Sequence, residues 1–235
     1  MLLKLKEIRK KLLEEGKLTK YLTYAFGEII IVVIGILLAL YLNNWNQNRA
    51  DNKLEIQYYQ SIKNQLKEDS NILTGEMYYN QTYYSQFAYA SNLIRSDAKP
   101  EIDTLGKIAF NMLRYSDFRR KSNIYQTLIN SGEIIVLKNS NIIEKLQSLE
   151  EMYLYINRLE ENHSTVIISQ IIPEIKEALQ VDPIKVVRPE FIFSYKFKNN
   201  FDLLIGLMNE KLDAYKQAKN MIETIIDLID KELND

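Results

Sequence analysis

A chain of 235 residues that is 46% apolar can build one or two packed domains, and only seven Gly and four Pro favour helices over a sandwich or barrel. The lack of cysteine excludes a disulfide framework and any thiolate metal centre. A net charge of −1 divides unevenly: seven basic against three acidic residues make residues 1–20 +4, leaving −5 for a remainder without the basic face that nucleic-acid binding needs.

In residues 1–20, Leu2, Leu3, Leu5, Ile8, Leu12 and Leu13 alternate with lysines and arginines at spacings near three and four. This pattern predicts a short amphipathic helix lying in the cytoplasmic interface, its lysines toward anionic headgroups. Residues 21–42 follow, apolar except for Thr23, Tyr24, Glu28 and the glycines. At a helical rise of ~1.5 Å they reach about 33 Å, the thickness of a bilayer's hydrocarbon core. Tyr21 and Tyr24 would mark one interface and Tyr41 and Trp45 the other, because amphipathic rings prefer headgroup depth. The run ends in Leu-Ala-Leu-Tyr-Leu-Asn-Asn-Trp, too bulky for a signal-peptidase site, so a retained transmembrane helix is expected rather than a cleaved leader. The excess of Lys and Arg before the span places the amino end in the cytoplasm and residues 43–235 outside a bacterial inner membrane, in the periplasm.

Glu28 interrupts this run. A carboxylate within a span costs roughly 2.5–3.5 kcal/mol unless it is protonated, hydrated or paired. It therefore reads either as a packing group that reaches Lys20 or the headgroups, or as an ion-coupling group toward a membrane partner. Gly27, Gly35 and Ala39 share one helix face, and Gly35-x-x-x-Ala39 is a small-xxx-small pair of the kind through which membrane helices associate. A homo-oligomer would bury Gly27, Glu28, Gly35 and Ala39 together.

Beyond Trp45 the chain runs without Pro or Gly to Thr74, with Leu54, Tyr58, Ile62, Leu66 and Leu73 in helical period, predicting a stalk that continues the span. Gly75 is expected to kink or break it, and the resumed helix to stop before Pro100. Tyr78, Tyr79, Tyr83 and Tyr84 could contact a ligand or a protein, although their spacing is also that of ordinary packing. Asp103 and Ser122 are expected to cap the next two helices, the second ending at Gly132. A further helix starts near Asn139 or Ser140 and runs past His163 toward Ile172, with Pro173 at a kink or fresh start. VDPIKVVRPEFIFSYKFKNN reads as extended or irregular, and the last helix as capped at Asp202 or nearby Asn residues. The expected fold is all-α, an elongated bundle of four or five helices above the membrane.

GEIIIVVIGILLALYLNNWNQ behind a basic segment, together with IYQTLINSGEIIVLKNSNIIEKLQSLEEMYLYI, resembles a bacterial family of single-pass membrane proteins known only as a domain of unknown function. The resemblance implies anchoring and supplies no catalytic residue.

The chemistry legible in the chain is sparse. It has no phosphate-binding glycine loop and no G-x-S-x-G elbow. Its single histidine, His163, follows Glu160 at i, i+3, but carboxylate-bridged metal sites need two such pairs, so His163 reads as solvated or capping. Glu150-Glu151 and Glu160-Glu161 read as solvated faces, since neighbours on a helix point about 100° apart. No catalytic residue, metal or cofactor is expected. The leading expectation is a non-enzymatic, self-associating interaction or scaffold protein. The alternatives are a sensory or regulatory subunit with a binding outer bundle, and an ion-coupled motor or transport subunit using Glu28.

Overall fold

The computed structural model describes residues 7, 10 and 18–234. Most of the expected amphipathic helix of residues 1–20 lies outside the described residues. The fold is all-α, apart from two three-residue strands.

Helix α1 spans Leu18–Arg95, 78 residues without a break. It contains an 18-residue window of mean hydropathy 2.6 with none of its residues buried, long and apolar enough to cross a membrane by length and composition. The helix runs unbroken through Gly75 to Arg95, so of the expected kink or break the break does not occur. Leu73 and Met77 pack on either side of that turn, and such packing outweighs the ~1 kcal/mol that glycine costs a helix. The chain divides into two compact units, Met1–Glu55 and Ile56–Asp235.

In the second unit, a 3-10 turn at Lys99–Glu101 carries Pro100 and leads into α2, Ile102–Phe110. Asp103 does not cap α2. It sits in the first turn, where a carboxylate meets the positive end of the helix dipole instead. After a 3-10 turn at Asn111–Leu113, extended chain leads to α3, Ile124–Ser131. The cap is Asn123 rather than Ser122, its Oδ1 accepting from Gln126 N at 2.9 Å. Gly132 ends α3 as expected, at φ 75°, in the left-handed region that glycine enters without strain.

A 3-10 turn, Glu133–Val136, precedes α4, Ser140–Val166, capped by Asn139. The helix then widens into a π turn, Ile167–Ile171, and continues as α5, Ile172–Ala178, with Pro173 in its first turn. A proline lacks the N–H and crowds the carbonyl four residues back, and a wider turn relieves both. Strands β1, Leu179–Val181, and β2, Ile184–Val186, pair antiparallel with Leu179 opposite Val186. Short α6, Pro189–Ile192, leads into α7, Tyr195–Asn234. The Phe-Lys-Asn-Asn stretch expected to be irregular is therefore helical. Asp202 lies inside α7 rather than at its cap, and accepts from Ser91 Oγ at 2.7 Å. Ser194 serves the helix start, its Oγ accepting from Phe197 N at 3.2 Å.

Two apolar clusters form the interior. One gathers Leu66 and Leu73 of α1, Leu146 and Ile156 of α4, and Ile222 and Ile229 of α7. The other gathers Phe87 of α1, Leu105 of α2, Ile171 of the π turn, and Phe201 and Met208 of α7. Between them each long helix carries buried polar residues: Asn80 on α1, Glu160 and His163 on α4, and Lys211 on α7. The second cluster closes around the hairpin, where a Cβ on Gly106 would stand 2.8 Å from Val186 Cγ2. Gly106→Ala is therefore expected to push the hairpin outward and lower stability by about 1–3 kcal/mol, read as a lower urea midpoint at unchanged slope.

Candidate functional site

The polar layer between the two clusters is built from α4, α7 and the extended segment after Leu113. Lys211 is fully buried, and its Nζ donates to Ser116 Oγ at 2.7 Å and to Ser116 O at 3.3 Å. The Tyr215 and Ser116 hydroxyls are hydrogen-bonded at 2.9 Å. Tyr215 also hydrogen-bonds Glu160 Oε1. A phenol has one proton, and when Glu160 is ionised its carboxylate can only accept it, so in that state the Ser116 hydroxyl supplies the proton between the two hydroxyls. The result is a directed chain from the Lys211 ammonium through Ser116 and Tyr215 to the Glu160 carboxylate, in which each bond polarises the next.

The backbone ties the segment into the same layer. Phe118 N donates to Glu160 Oε1 at 2.8 Å, and Asp117 N donates to Glu76 Oε2 at 3.1 Å. Two successive amides of one loop thus hold carboxylates from two different helices. The Lys211 ammonium lies 5.8 Å from the centroid of the Tyr115 ring, which in turn lies 5.7 Å from that of His163.

Burial sets the electrostatics. It raises the Glu160 carboxyl to about 7 against the opposing pull of its Tyr215 and Phe118 bonds. It lowers Lys211 to about 8, with Glu160 the principal group pulling the other way. It lowers His163 to about 3, and the Lys211 charge adds to the fall. His163 is fully buried, and neither ring nitrogen has a hydrogen-bond partner among the described residues, which leaves the donor and the acceptor of its neutral imidazole unmet there. Both sequence expectations here are corrected. His163 is neither solvated nor capping, and Glu160, 4% exposed, does not lie on a solvated face. Its neighbour Glu161 is exposed, as expected. Glu150 is half-buried, holding Arg120 Nη1 at 2.6 Å and Asn123 Nδ2 at 3.1 Å.

Beside this layer runs an open groove of about 610 Å³. The segment from Tyr115 to Asn123 forms one wall, and Asn157, Glu160, Glu161 and Ser164 of α4 line the other. Glu160 belongs to both the buried chain and the groove, and its second oxygen, Oε2, takes no hydrogen bond from a described residue. On the opposite wall Arg119 pairs with Asp117 at 2.6 Å, while Lys121 is exposed with no ion-pair partner among the described residues.

The side chains singled out in the sequence lie elsewhere. Tyr41 and Trp45 are exposed on α1, the Arg49 guanidinium 6.0 Å from the Trp45 ring centroid. The side chains of Tyr21 and Tyr24 lie outside the described residues. A Cβ at Gly27 or Gly35 would meet nothing within 4 Å, and Ala39 is exposed on the same helix. Glu28 is partly exposed there. Of the tyrosines, Tyr78 is 79% exposed, the Tyr79 and Tyr83 ring centroids lie 4.8 Å apart, and Tyr83 and Tyr84 pack against the second apolar cluster. Sequence reading missed Ser116, Lys211 and Tyr215. The available signal was a polar break at one level of each apolar stripe, at Asn80, Glu160 with His163, and Lys211.

Among the described residues no group of three or more His, Asp or Glu side chains is placed to hold a metal ion. What the arrangement can do chemically is hold charge and pass protons along a fixed direction beside an open groove. Residues 28–166 match DUF6090, a family of unknown function. No curated protein and no solved structure matches the chain.

Proposed function

The chain belongs to the DUF6090 family, whose function is unknown, and we propose that it is a non-enzymatic interaction protein anchored by one transmembrane helix in a bacterial inner membrane. In this reading residues 1–20 are cytoplasmic, 21–42 span the bilayer and 43–235 lie in the periplasm. The observation that carries it is the exposure of large apolar side chains along α1, among them Ile31 at 72% and Leu42 at 56%. At about 25 cal/mol per Å² of apolar surface, such a stretch has far more to gain in lipid than in water. Self-association through the face of Gly27, Gly35 and Ala39, with Glu28 beside it, fits the same anchor.

Fractionation tests this directly. The full chain is expected in the membrane pellet after alkaline carbonate washing, and recovery in the soluble fraction would overturn the anchor. A carboxyl-terminal alkaline phosphatase fusion is expected to be active, reporting a periplasmic domain. In-membrane crosslinking is expected to trap dimers or larger species that Gly35→Leu diminishes.

A second reading, a sensory or regulatory subunit, is favoured by the groove. It is polar, open and lined by a buried carboxylate that belongs to a hydrogen-bond chain reaching α7. Occupancy of such a groove would alter the charge balance of a layer that joins α1, α4 and α7.

A further inference from the structure

We propose that the groove between residues 115–123 and α4 binds the α-ammonium end of a small zwitterion, a free amino acid or the amino terminus of a short peptide. Glu160 receives the ammonium, while Arg119 and Lys121 face the ligand's anionic end. The inference rests on the sensory reading and gives it a ligand chemistry.

The first support is the unequal use of the Glu160 carboxylate. Oε1 is taken by Phe118 N and Tyr215, whereas Oε2 takes no bond from a described residue although the side chain lines the groove. A residue 4% exposed that keeps one charged oxygen without a partner is short of a donor, and burial has raised its pKa because too little compensates the charge. An ammonium carries three donors and the opposite charge, so it supplies what this oxygen lacks.

The second support is the charge order across the groove. Glu160 and Glu161 sit in the α4 wall, and on the other stand Lys121, with no ion-pair partner among the described residues, and Arg119, 83% exposed and shared with Asp117. A ligand with charge of one sign would meet repulsion at one of these walls, and a zwitterion meets attraction at both. Asn157 and Ser164 complete the α4 wall with an amide and a hydroxyl that make no hydrogen bond to a described residue. A volume of about 610 Å³ suits a free amino acid or the first residues of a peptide. A metal ion fits less well, since no three ligating side chains converge among the described residues.

The test is calorimetric titration of the detergent-solubilised full chain near pH 7 with triglycine, N-acetyltriglycine and glycine. Triglycine is expected to bind, and N-acetylation to weaken binding at least about tenfold, because it removes the charge and two of the donors. Glycine binding as tightly as triglycine assigns the site to free amino acids, and weaker glycine binding assigns it to peptide termini. Glu160→Gln keeps an acceptor for Phe118 and Tyr215 and is expected to cost about tenfold in affinity. Lys121→Glu, a surface change that leaves the fold untouched, is expected to cost about threefold or more. Binding should also release protons as Glu160 ionises, giving different apparent heats in buffers of different ionisation enthalpy. Equal affinity for the acetylated peptide, unchanged binding in both variants, or no binding of triglycine or glycine at concentrations up to ~10 mM overturns the proposal. None of these results bears on carbonate extraction, so the anchor stands or falls separately.

Discussion

Lys211→Met is expected to lower the free energy of unfolding by about 3 kcal/mol near pH 7, and adding Glu160→Gln to restore a large part of that loss. Lys211 is fully buried at the head of the chain that ends on Glu160. Removing the cation alone leaves Ser116 O and Oγ without their donor and the Glu160 charge without its nearest counterweight. Removing one member of a buried charged network costs about 3–5 kcal/mol because the other is stranded, while replacing both by neutral groups of similar shape is close to neutral. Methionine matches the length of the lysine stem, and glutamine keeps an acceptor for the Phe118 amide and the Tyr215 phenol. Urea unfolding of the two single variants and the double variant, followed by circular dichroism, gives the coupling energy. A coupling of about 1–3 kcal/mol identifies the relay as one unit. Strict additivity of the two losses would show that Lys211 and Glu160 act independently, and the relay would then be geometry without energetic consequence.

The sequence made the long elements legible and hid the layer that joins them. The helical period across residues 54–73, 142–159 and 204–229 is enough to place three amphipathic helices, and Gly132 and Asn139 mark boundaries through backbone requirements that few residues meet. Gly75 and Asp202 misled for the opposite reason. A glycine or a capping residue is a weak local preference, about 1 kcal/mol, and tertiary packing on either side overrides it. The hairpin at residues 179–186 was readable only from Val181 onward, and only as extended or irregular chain; its close approach to Gly106 on α2 is a tertiary contact that no local pattern carries.

Glu160 and His163 were misread through a different error. On its own helix Glu160 looks like one of many solvated acids, and His163 like a lone solvated or capping residue. Their burial follows from what α7 and the 114–123 segment bring to the same level, namely Lys211, Tyr215 and the hydroxyl of Ser116. These partners lie dozens of residues away, beyond the reach of any periodicity. A lysine in the middle of the α7 stripe, between Met208 and Tyr215, was the signal that a buried counter-charge had to exist.

The largest pH effect is expected from His163. Its ring is neutral and buried in the fold but takes up a proton near 6.5 when unfolded, so the unfolded state binds more protons between pH 6.5 and about 3. Stability contributed by the neutral ring is thus complete above pH 6.5 and lost as pH falls toward 3, by on the order of 5 kcal/mol. Glu160 works in the opposite sense. Its folded pKa is raised to about 7, so the folded state binds the extra proton, and stability through this group rises as pH falls from 7 to 4.5 by about 3 kcal/mol. Burial raises Asp69 and Glu76 as well, and both reinforce Glu160. Between pH 6.5 and 4.5 the two trends oppose each other; below 4.5 the Glu160 gain is complete while the histidine loss continues, joined by that of Asp202, whose bonds to Lys198 and Ser91 outweigh its burial and hold its carboxyl below the usual range. The native chain is therefore expected to hold a roughly flat stability from pH 6.5 to 4.5 and to fall steeply below it. His163→Leu removes two unmet polar nitrogens, so it is expected to gain about 1–2 kcal/mol at pH 7 despite losing the Tyr115 ring contact. With the histidine gone, the rising trend of Glu160, Asp69 and Glu76 is no longer offset by it, and unfolding midpoints measured from pH 7 to 4.5 should climb rather than stay level. A His163→Leu profile with the native shape would mean that the imidazole is protonated in the folded protein, and the burial assigned to it would then be wrong. A rise at pH 7 together with the climbing acid limb would show that the chain carries a stability cost at this position, as is expected where a buried polar layer serves binding rather than folding.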